Sequence, residues 1–295
     1  MEQQMTIQWF PGHMAKARRK LQEALPLTDA VMELTDARIP ESSRNPELDR
    51  LLAGKPRLLL LNKSDLADPA ATTRWKAYYA AQGIPALAVD CKSGAGLNAF
   101  LPAVKSLLRE QLEAWKQKGM VGRVIRLMIV GIPNIGKSSF INKMAKTGLA
   151  KVEDRPGVTR GNQWYTITKG VELLDTPGVL WPRFEDPAVG ERLAFTGAVR
   201  DEVLDGEQLA ARLAWELLRQ EPEKLAARYK LPVLHPENGY DLLEAIARRR
   251  GMLISGGEAD LERASVMLLD EFRSGKIGRI TLELPPQAPE SGDAI

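Results

Sequence analysis

Eight residues, Gly131-Ile132-Pro133-Asn134-Ile135-Gly136-Lys137-Ser138, follow an apolar run at 124–130 and open a helical pattern. A strand that runs directly into a glycine-bounded loop and then a helix leaves few architectures open. The glycines let successive backbone N–H groups curl inward, and the helix start adds its own free N–H groups. In that strand–loop–helix context the pattern G-x-x-x-x-G-K-S is a phosphate cradle. Lys137 is placed to reach the outer phosphates and Ser138 to set its hydroxyl on Mg²⁺. The loop backbone through Asn134, Ile135, Gly136 and Ser139 completes the expected nucleotide contacts.

Further apolar strands are predicted at 31–35, 57–61 and 84–89. Helical patterns lie between them at 69–82 and 97–118, and a hairpin is predicted from 163–168 and 171–174. Continuous apolar strands alternating with helices imply a mostly parallel sheet covered on both faces. Beyond about residue 187 the pattern is helical without intervening strands, at 210–219, 222–229, 240–249 and 259–273, with a last extended piece at 280–284. The fold class expected is therefore α/β: a P-loop domain over 1–184, then an all-α domain over 185–284. The Pro-rich tail, 285–295, is expected to be disordered.

Three more motifs define the ligand. Asn62-Lys63-Ser64-Asp65 ends the leucine-rich strand, at the carboxyl edge where α/β sheets bind ligands. The Asp65 carboxylate can accept from guanine N1–H and N2–H₂, donors that adenine lacks. Asn62 can bridge loops, and the Lys63 stem can lie over the ring. Cys91-Lys92-Ser93 occupies the turn where a backbone N–H, here that of Lys92, contacts guanine O6; its side chains match that role poorly, so a plain loop with a buried cysteine stays open. Asp175-Thr176-Pro177-Gly178 follows a strand, with Asp175 suited to hold Mg²⁺ through water and the Gly178 N–H to bind the γ-phosphate. Between them Thr159 is the candidate second Mg²⁺ ligand, on a loop that orders with triphosphate; an incidental threonine is the alternative. Together these motifs select GTP and GDP over ATP. Their order is unusual, because the guanine motif precedes the phosphate loop, whereas ordinary small GTPases have the reverse. Taken together, the motifs look like those of a circularly permuted GTPase.

Composition narrows the setting. The net charge of +3 says little, but Lys16, Arg18, Arg19 and Lys20, and later Arg248, Arg249 and Arg250, form local basic clusters. These can contact RNA phosphates or simply be solvated helix faces. One cysteine excludes an internal disulfide framework and fits a reducing compartment. No apolar run approaches the roughly 20 residues of a membrane span. A cytoplasmic protein with no membrane partner is expected.

Several segments agree in kind and order with one family. Residues 9–17, beginning Trp9-Phe10-Pro11-Gly12-His13, then Asp36-Ala37-Arg38-Ile39-Pro40 and Gly131 to Asn134, resemble the ribosome biogenesis GTPase A family of circularly permuted GTPases. The resemblance covers residues from about 6 to about 280. It implies a GTPase acting late in maturation of the bacterial large ribosomal subunit, with the helical domain on ribosomal RNA and hydrolysis stimulated by the particle. Val179 stands where Ras-like proteins place a water-orienting glutamine, and valine cannot hydrogen-bond water. The resemblance points to His13 as the catalytic group in its stead; a structural or RNA-contacting histidine is the alternative. It likewise points to Asn134 as a K⁺ ligand, against an asparagine that merely tolerates a tight loop. A different class of function, a nucleotide-gated RNA-binding module with incidental hydrolysis, competes with the enzyme reading. A tRNA-modifying or membrane-signalling GTPase is disfavoured by the absence of a lipidation motif or added catalytic domain, and an ATP-dependent kinase by Asp65.

Overall fold

The computed structural model describes residues 11–120, 122–146, 152–153, 163–178, 184, 186–199, 205–232 and 236–286, without the side chains of 11–15, 145–146 and 152–153. Among the described residues seven strands form one sheet: β1 (Ala30–Asp36), β2 (Arg57–Asn62), β3 (Ala86–Ala88), β4 (Ile125–Val130), β5 (Val152–Glu153), β6 (Gln163–Thr168) and β7 (Val171–Asp175). Their spatial order is β3-β2-β1-β4-β7-β6-β5. The chain starts at the centre, runs outward through β2 and β3, and returns to the other side of β1 at β4. β1, β2, β3, β4 and β7 are parallel, while β6 and β5 add an antiparallel edge. The reversal of direction between β1 and β4 is the switch point at which open α/β sheets leave a crevice for ligands. The circular permutation is thus visible in the sheet itself.

Alternating residues divide the sheet between two apolar layers, as strand geometry demands. Met32, Leu34, Leu58, Leu60, Leu127, Ile129 and Leu173 face α4 (Phe100–Leu107) and α6 (Lys137–Lys146), where Phe100 and Phe140 meet edge to face at 5.1 Å. Val31, Met128, Val130 and Leu174 face α1 (Pro11–Ala24) and α2 (Pro46–Leu51) through Leu21, Ala24, Leu48 and Leu52. Leu59 and Leu61 face α3 (Pro69–Ala81) through Trp75 and Tyr79.

The expected helix at 97–118 is divided: a 3₁₀ turn at Leu97–Ala99, then α4, then α5 (Arg109–Gln117), broken at Leu108, whose side chain is buried. The strand expected at 84–89 shrinks to β3, because Pro85 has no N–H for the ladder. The two-residue β5, and the helices α1 and α2, have no counterpart in the periodicity reading.

The remaining helices among the described residues are α7 (Pro187–Phe195), α8 (Gly206–Gln220), α9 (Pro222–Tyr229), α10 (Gly239–Arg249) and α11 (Leu261–Arg273). Leu209, Leu213 and Leu217 of α8 form a common core with Leu242 and Ile246 of α10 and Leu268 and Phe272 of α11. The start of α10 lies so close to α8 that a Cβ at Gly239 would sit 2.0 Å from the Ala211 carbonyl oxygen. After α11 the chain crosses back over the sheet domain in extended form, outside the sheet. The Ile280 N–H donates to Leu66 O at 2.9 Å and the Leu282 N–H to Arg38 O at 2.8 Å. No helix among the described residues is long and apolar enough to cross a membrane.

At the end of β1 a buried charge cluster fastens these parts. Asp36, 1 % exposed, accepts from Arg38 Nε at 2.9 Å and Nη2 at 2.7 Å, and pairs with Lys63 Nζ at 3.0 Å. Burial works against its charge, but the two cations and the Arg38 hydrogen bonds prevail and hold the carboxyl far below the usual range. The Arg38 guanidinium also lies 5.4 Å from the Phe272 ring of α11. Arg38→Met would leave the buried Asp36 with Lys63 as its remaining cation and remove both guanidinium hydrogen bonds, and is expected to cost about 3 kcal/mol of stability, the lower end of the range for breaking a buried pair. An unchanged urea midpoint with unchanged slope would contradict this.

Candidate functional site

All described nucleotide motifs meet at the carboxyl ends of the central strands. The phosphate loop follows β4 and ends in α6, whose first residue is Lys137. Gly131, at φ +151°, is pressed against β1: a Cβ there would lie 2.7 Å from Leu34 O. Asn134 adopts the left-handed region at φ +56°, which asparagine tolerates better than most residues. Its Nδ2 also donates to Gly197 O at 3.3 Å, at the end of α7. The loop therefore touches the helical part directly.

Asn62 is the staple between loops. Its Nδ2 donates to Ile135 O at 2.7 Å, and its Oδ1 accepts the Cys91 N–H at 3.0 Å. One buried amide thereby joins the guanine motif, the phosphate loop and the turn after β3. Gly136 has to be glycine here, because a Cβ would lie 2.4 Å from Asn62 Nδ2 and φ is +106°. Lys63, at φ +57°, extends to Asp36, while Asp65 is exposed on the loop between β2 and α3.

The turn after β3 is shaped by Asp90, which accepts from the Lys92 N–H at 2.8 Å and the Ser93 N–H at 3.1 Å. The Lys92 N–H assigned to guanine O6 by resemblance is here a donor to its own chain. The Cys91 side chain is buried beside Leu97 and Phe100, and burial, with Asp90 adding to it, pushes its thiol up to about 12. Cys91 can offer a ligand its backbone alone.

Across the phosphate loop lies Asp175-Thr176-Pro177-Gly178. Thr176 Oγ1 donates to Ile129 O at 2.5 Å, anchoring this segment to β4. Gly178 approaches so closely that a Cβ would sit 2.8 Å from Pro133 N and 3.0 Å from Lys137 Nζ. A cavity of about 540 Å³ is lined by Asn134, Lys137, Ser138, Asp175 and Gly178, among others. A hydroxyl, a carboxylate and the backbone N–H groups at a helix start converge on it. Few protein oxygens and room for phosphate and water suit Mg²⁺, which keeps several waters and shares its shell with phosphates. No cluster of three or more His, Cys, Asp or Glu exists among the described residues. Thr159 and Val179 lie outside the described residues. His13 is the third residue of α1, and its side chain is also outside them.

The basic clusters divide. Lys16, Arg18 and Arg19 are exposed on α1, with Arg19 paired to Glu23 at 2.8 Å. Arg248 pairs with Glu244 on its own helix, and Arg250 lies 5.2 Å from the Tyr229 ring. Residues that the sequence left without a role now border the site: Asp36 and Arg38 beneath the guanine loop, and Arg279 against it. The run Asp36-Ala37-Arg38 directly after an apolar strand was a signal for the first two. Nothing local marks Arg279.

Lys137 Nζ donates to Gly131 O at 3.0 Å and Ile132 O at 2.9 Å. Burial lowers its pKa to about 8 from an ordinary 10.5, partly opposed by Asp175, whose own carboxyl is raised first by burial and restrained by Lys137. Phosphate binding needs the ammonium form, and phosphate in turn raises the lysine pKa. Affinity is therefore full below pH 7 and is lost as pH rises through 8. GDP affinity is expected to fall about fourfold between pH 7 and 8.5, from the protonated fraction of such a lysine. A titration showing no pH dependence over that window would remove the assignment.

Comparisons with known proteins agree with this geometry. Residues 126–221 match the family model described as 50S ribosome-binding GTPase. The chain is 49% identical over 287 residues to ribosome biogenesis GTPase A of Priestia megaterium, covering 97% of this chain and 99% of that protein. It is 31% identical to ribosome biogenesis GTPase A of Thermotoga maritima, covering 95% of each. The GNP-bound structure of YlqF from T. maritima superposes with a TM-score of 0.61 at 28% identity, covering 92% of this chain and 100% of that one. The fold, the convergence of the loops and these near full-length identities have one reading: the chain belongs to the ribosome biogenesis GTPase A family.

Proposed function

We propose that this GTPase acts at a late step in maturation of the bacterial large ribosomal subunit, binding precursor RNA in its GTP state and leaving on hydrolysis. The observation that carries this reading is the hydrogen bond from Asn134, inside the phosphate loop, to Gly197 at the end of α7. It joins the nucleotide site to the helical unit, 185–284, that we assign to RNA. The relatives' names, and the family model matched by residues 126–221, supply the ribosomal particle as the partner. The exposed Lys16, Arg18 and Arg19 of α1 offer a second phosphate-contacting face. The setting is the cytoplasm, without a membrane partner.

Within the site, Asp65 reads guanine, with Asn62, Lys63 and the Cys91–Ser93 turn around the base. The phosphate-loop backbone from Asn134 to Ser139 and Lys137 hold the phosphates. Ser138 and Thr159, with Asp175 through water, are the residues for Mg²⁺, which when bound neutralises charge on the phosphates. The Gly178 N–H senses the γ-phosphate. Because Val179 offers water no hydrogen bond, His13 takes the water-polarising role as a neutral imidazole. Asn134 is the K⁺ ligand, adding positive charge near the transferred phosphoryl group.

Co-sedimentation with large-subunit precursors is expected to retain the protein with a non-hydrolysable GTP analogue and release it with GDP; equal binding in both states would end the switch model. His13→Ala is expected to reduce particle-stimulated turnover about 10²- to 10⁴-fold, the range for loss of an acid–base group. Full turnover in that variant would remove the catalytic role of His13. The second reading, a nucleotide-gated RNA-binding module with incidental hydrolysis, is favoured by the valine at 179 and predicts GTP turnover that is the same with and without large-subunit precursors. Turnover in KCl should exceed that in NaCl, and equal rates would remove the K⁺ site.

A further inference from the structure

The guanine loop is fastened on one side to the sheet. Asn62 is the last residue of β2, and its carbonyl accepts the Ala37 N–H at 2.8 Å. Its far side is held by a segment more than two hundred residues away. Arg279 Nη2 donates to Ser64 O at 2.8 Å, and Arg279 Nε donates to Ala67 O at 2.8 Å. The Ile280 N–H donates to Leu66 O at 2.9 Å, and Thr281 Oγ1 accepts the Asp68 N–H at 3.0 Å. Leu66 is packed over Gly275, where a Cβ would lie 2.7 Å from Leu66 Cδ2. Asp65 sits in the middle of this frame, exposed, and no protein group hydrogen-bonds its carboxylate among the described residues. Its aim is therefore set by the backbone on either side of it, at Ser64 and Leu66–Ala67. A guanidinium is a rigid planar fork, and here it spans the two carbonyls that bracket Asp65.

We propose that Arg279 is a positioning residue for guanine recognition, its fork across Ser64 O and Ala67 O fixing the turn that aims the Asp65 carboxylate at the base. The proposal rests on the reading of Asp65 as the guanine reader. Arg279 touches no nucleotide atom and acts only through the loop. Because it follows α11, it also makes base recognition depend on the docking of the helical part, and by reciprocity a bound base favours that docking.

The test compares GDP with IDP, which lacks the N2 amino group and so one of the two donors to the carboxylate. In the full-length protein, Arg279→Ala is expected to weaken GDP about five- to tenfold, the worth of one ordinary hydrogen bond, because the Asp65 contact is misaligned and not abolished, and IDP by less, so that the GDP-to-IDP affinity ratio shrinks. A merely structural role would weaken both nucleotides equally, and an unchanged ratio overturns the proposal. Arg279→Lys, which keeps the charge but lacks the rigid planar fork, should recover only part of the ratio; full recovery also counts against the fork. Should Arg279→Ala fail to fold, Thr281→Val, which removes the acceptor for the Asp68 N–H, is read in the same way. Asp65→Asn separates the two levels: if it retains the wild-type preference for GDP over IDP, the guanine reading itself fails, whereas if it loses the preference while the Arg279 and Thr281 variants keep it, only the positioning role fails.

Discussion

The buried carboxylate of Asp36 is the constraint around which the rest of the molecule is arranged. It ends the central strand β1 and is out of contact with water, so it has to be neutralised by protein groups. Arg38 provides a two-pronged partner and Lys63 a second cation. Those two residues belong to different loops, and Lys63 stands inside the guanine motif. Arg38 in turn faces Phe272 of α11 and accepts Leu282 through its carbonyl. One charge thus ties together the sheet, the base-reading loop and the returning C-terminal segment. Such a centre is weak as a source of net stability, since desolvation offsets attraction, but it is strict about geometry.

A second charged group, Glu283, closes the same interface from the other side. It accepts from the Ser42 N–H at 2.9 Å and Ser42 Oγ at 2.6 Å, and Arg192 Nη1 of α7 approaches at 3.4 Å. Burial raises its carboxyl, against the hydrogen bonds and Arg192, which favour the charged form. The Trp75 Nε1–H of α3 donates to the Glu283 carbonyl at 2.9 Å. The helical part is consequently attached at the phosphate loop through Asn134 and at the guanine side through residues 279–283. In chain order the Asp175–Gly178 segment is the last nucleotide motif before the helices. The structure adds a contact at each end of the nucleotide site.

Much of the site was legible because its chemistry is local. A glycine-bounded loop between an apolar run and a helix needs no distant partner to be recognised, and Asn62-Lys63-Ser64-Asp65 at the end of a leucine run is equally self-contained. The strands were legible because parallel strands buried on both faces read as unbroken apolar runs. What periodicity missed follows from the same physics. Helix α1 is rich in basic residues, and among its described side chains the buried ones form a narrow stripe of Ala17, Leu21 and Ala24, so its apolar signal is thin. Helix α2 is six residues long, too short for a period to emerge. Glu33, in the middle of β1, is buried among Arg44 and Arg57 and carries no mark in the sequence of a core charge.

The sequence by itself determined the class of ligand, the permuted order and the alternation of strands and helices. Each rests on residue types at short fixed spacing. Only the tertiary structure decided which groups meet. It turned the Asn62 amide into a bridge between three loops, gave the Lys92 N–H to Asp90, and brought Arg279 against Ser64 and Ala67. These contacts join residues that are 29 to 215 positions apart, except for the Asp90 turn. A hydrogen bond of that span is set by how the layers pack and where the chain returns, and no local pattern encodes it.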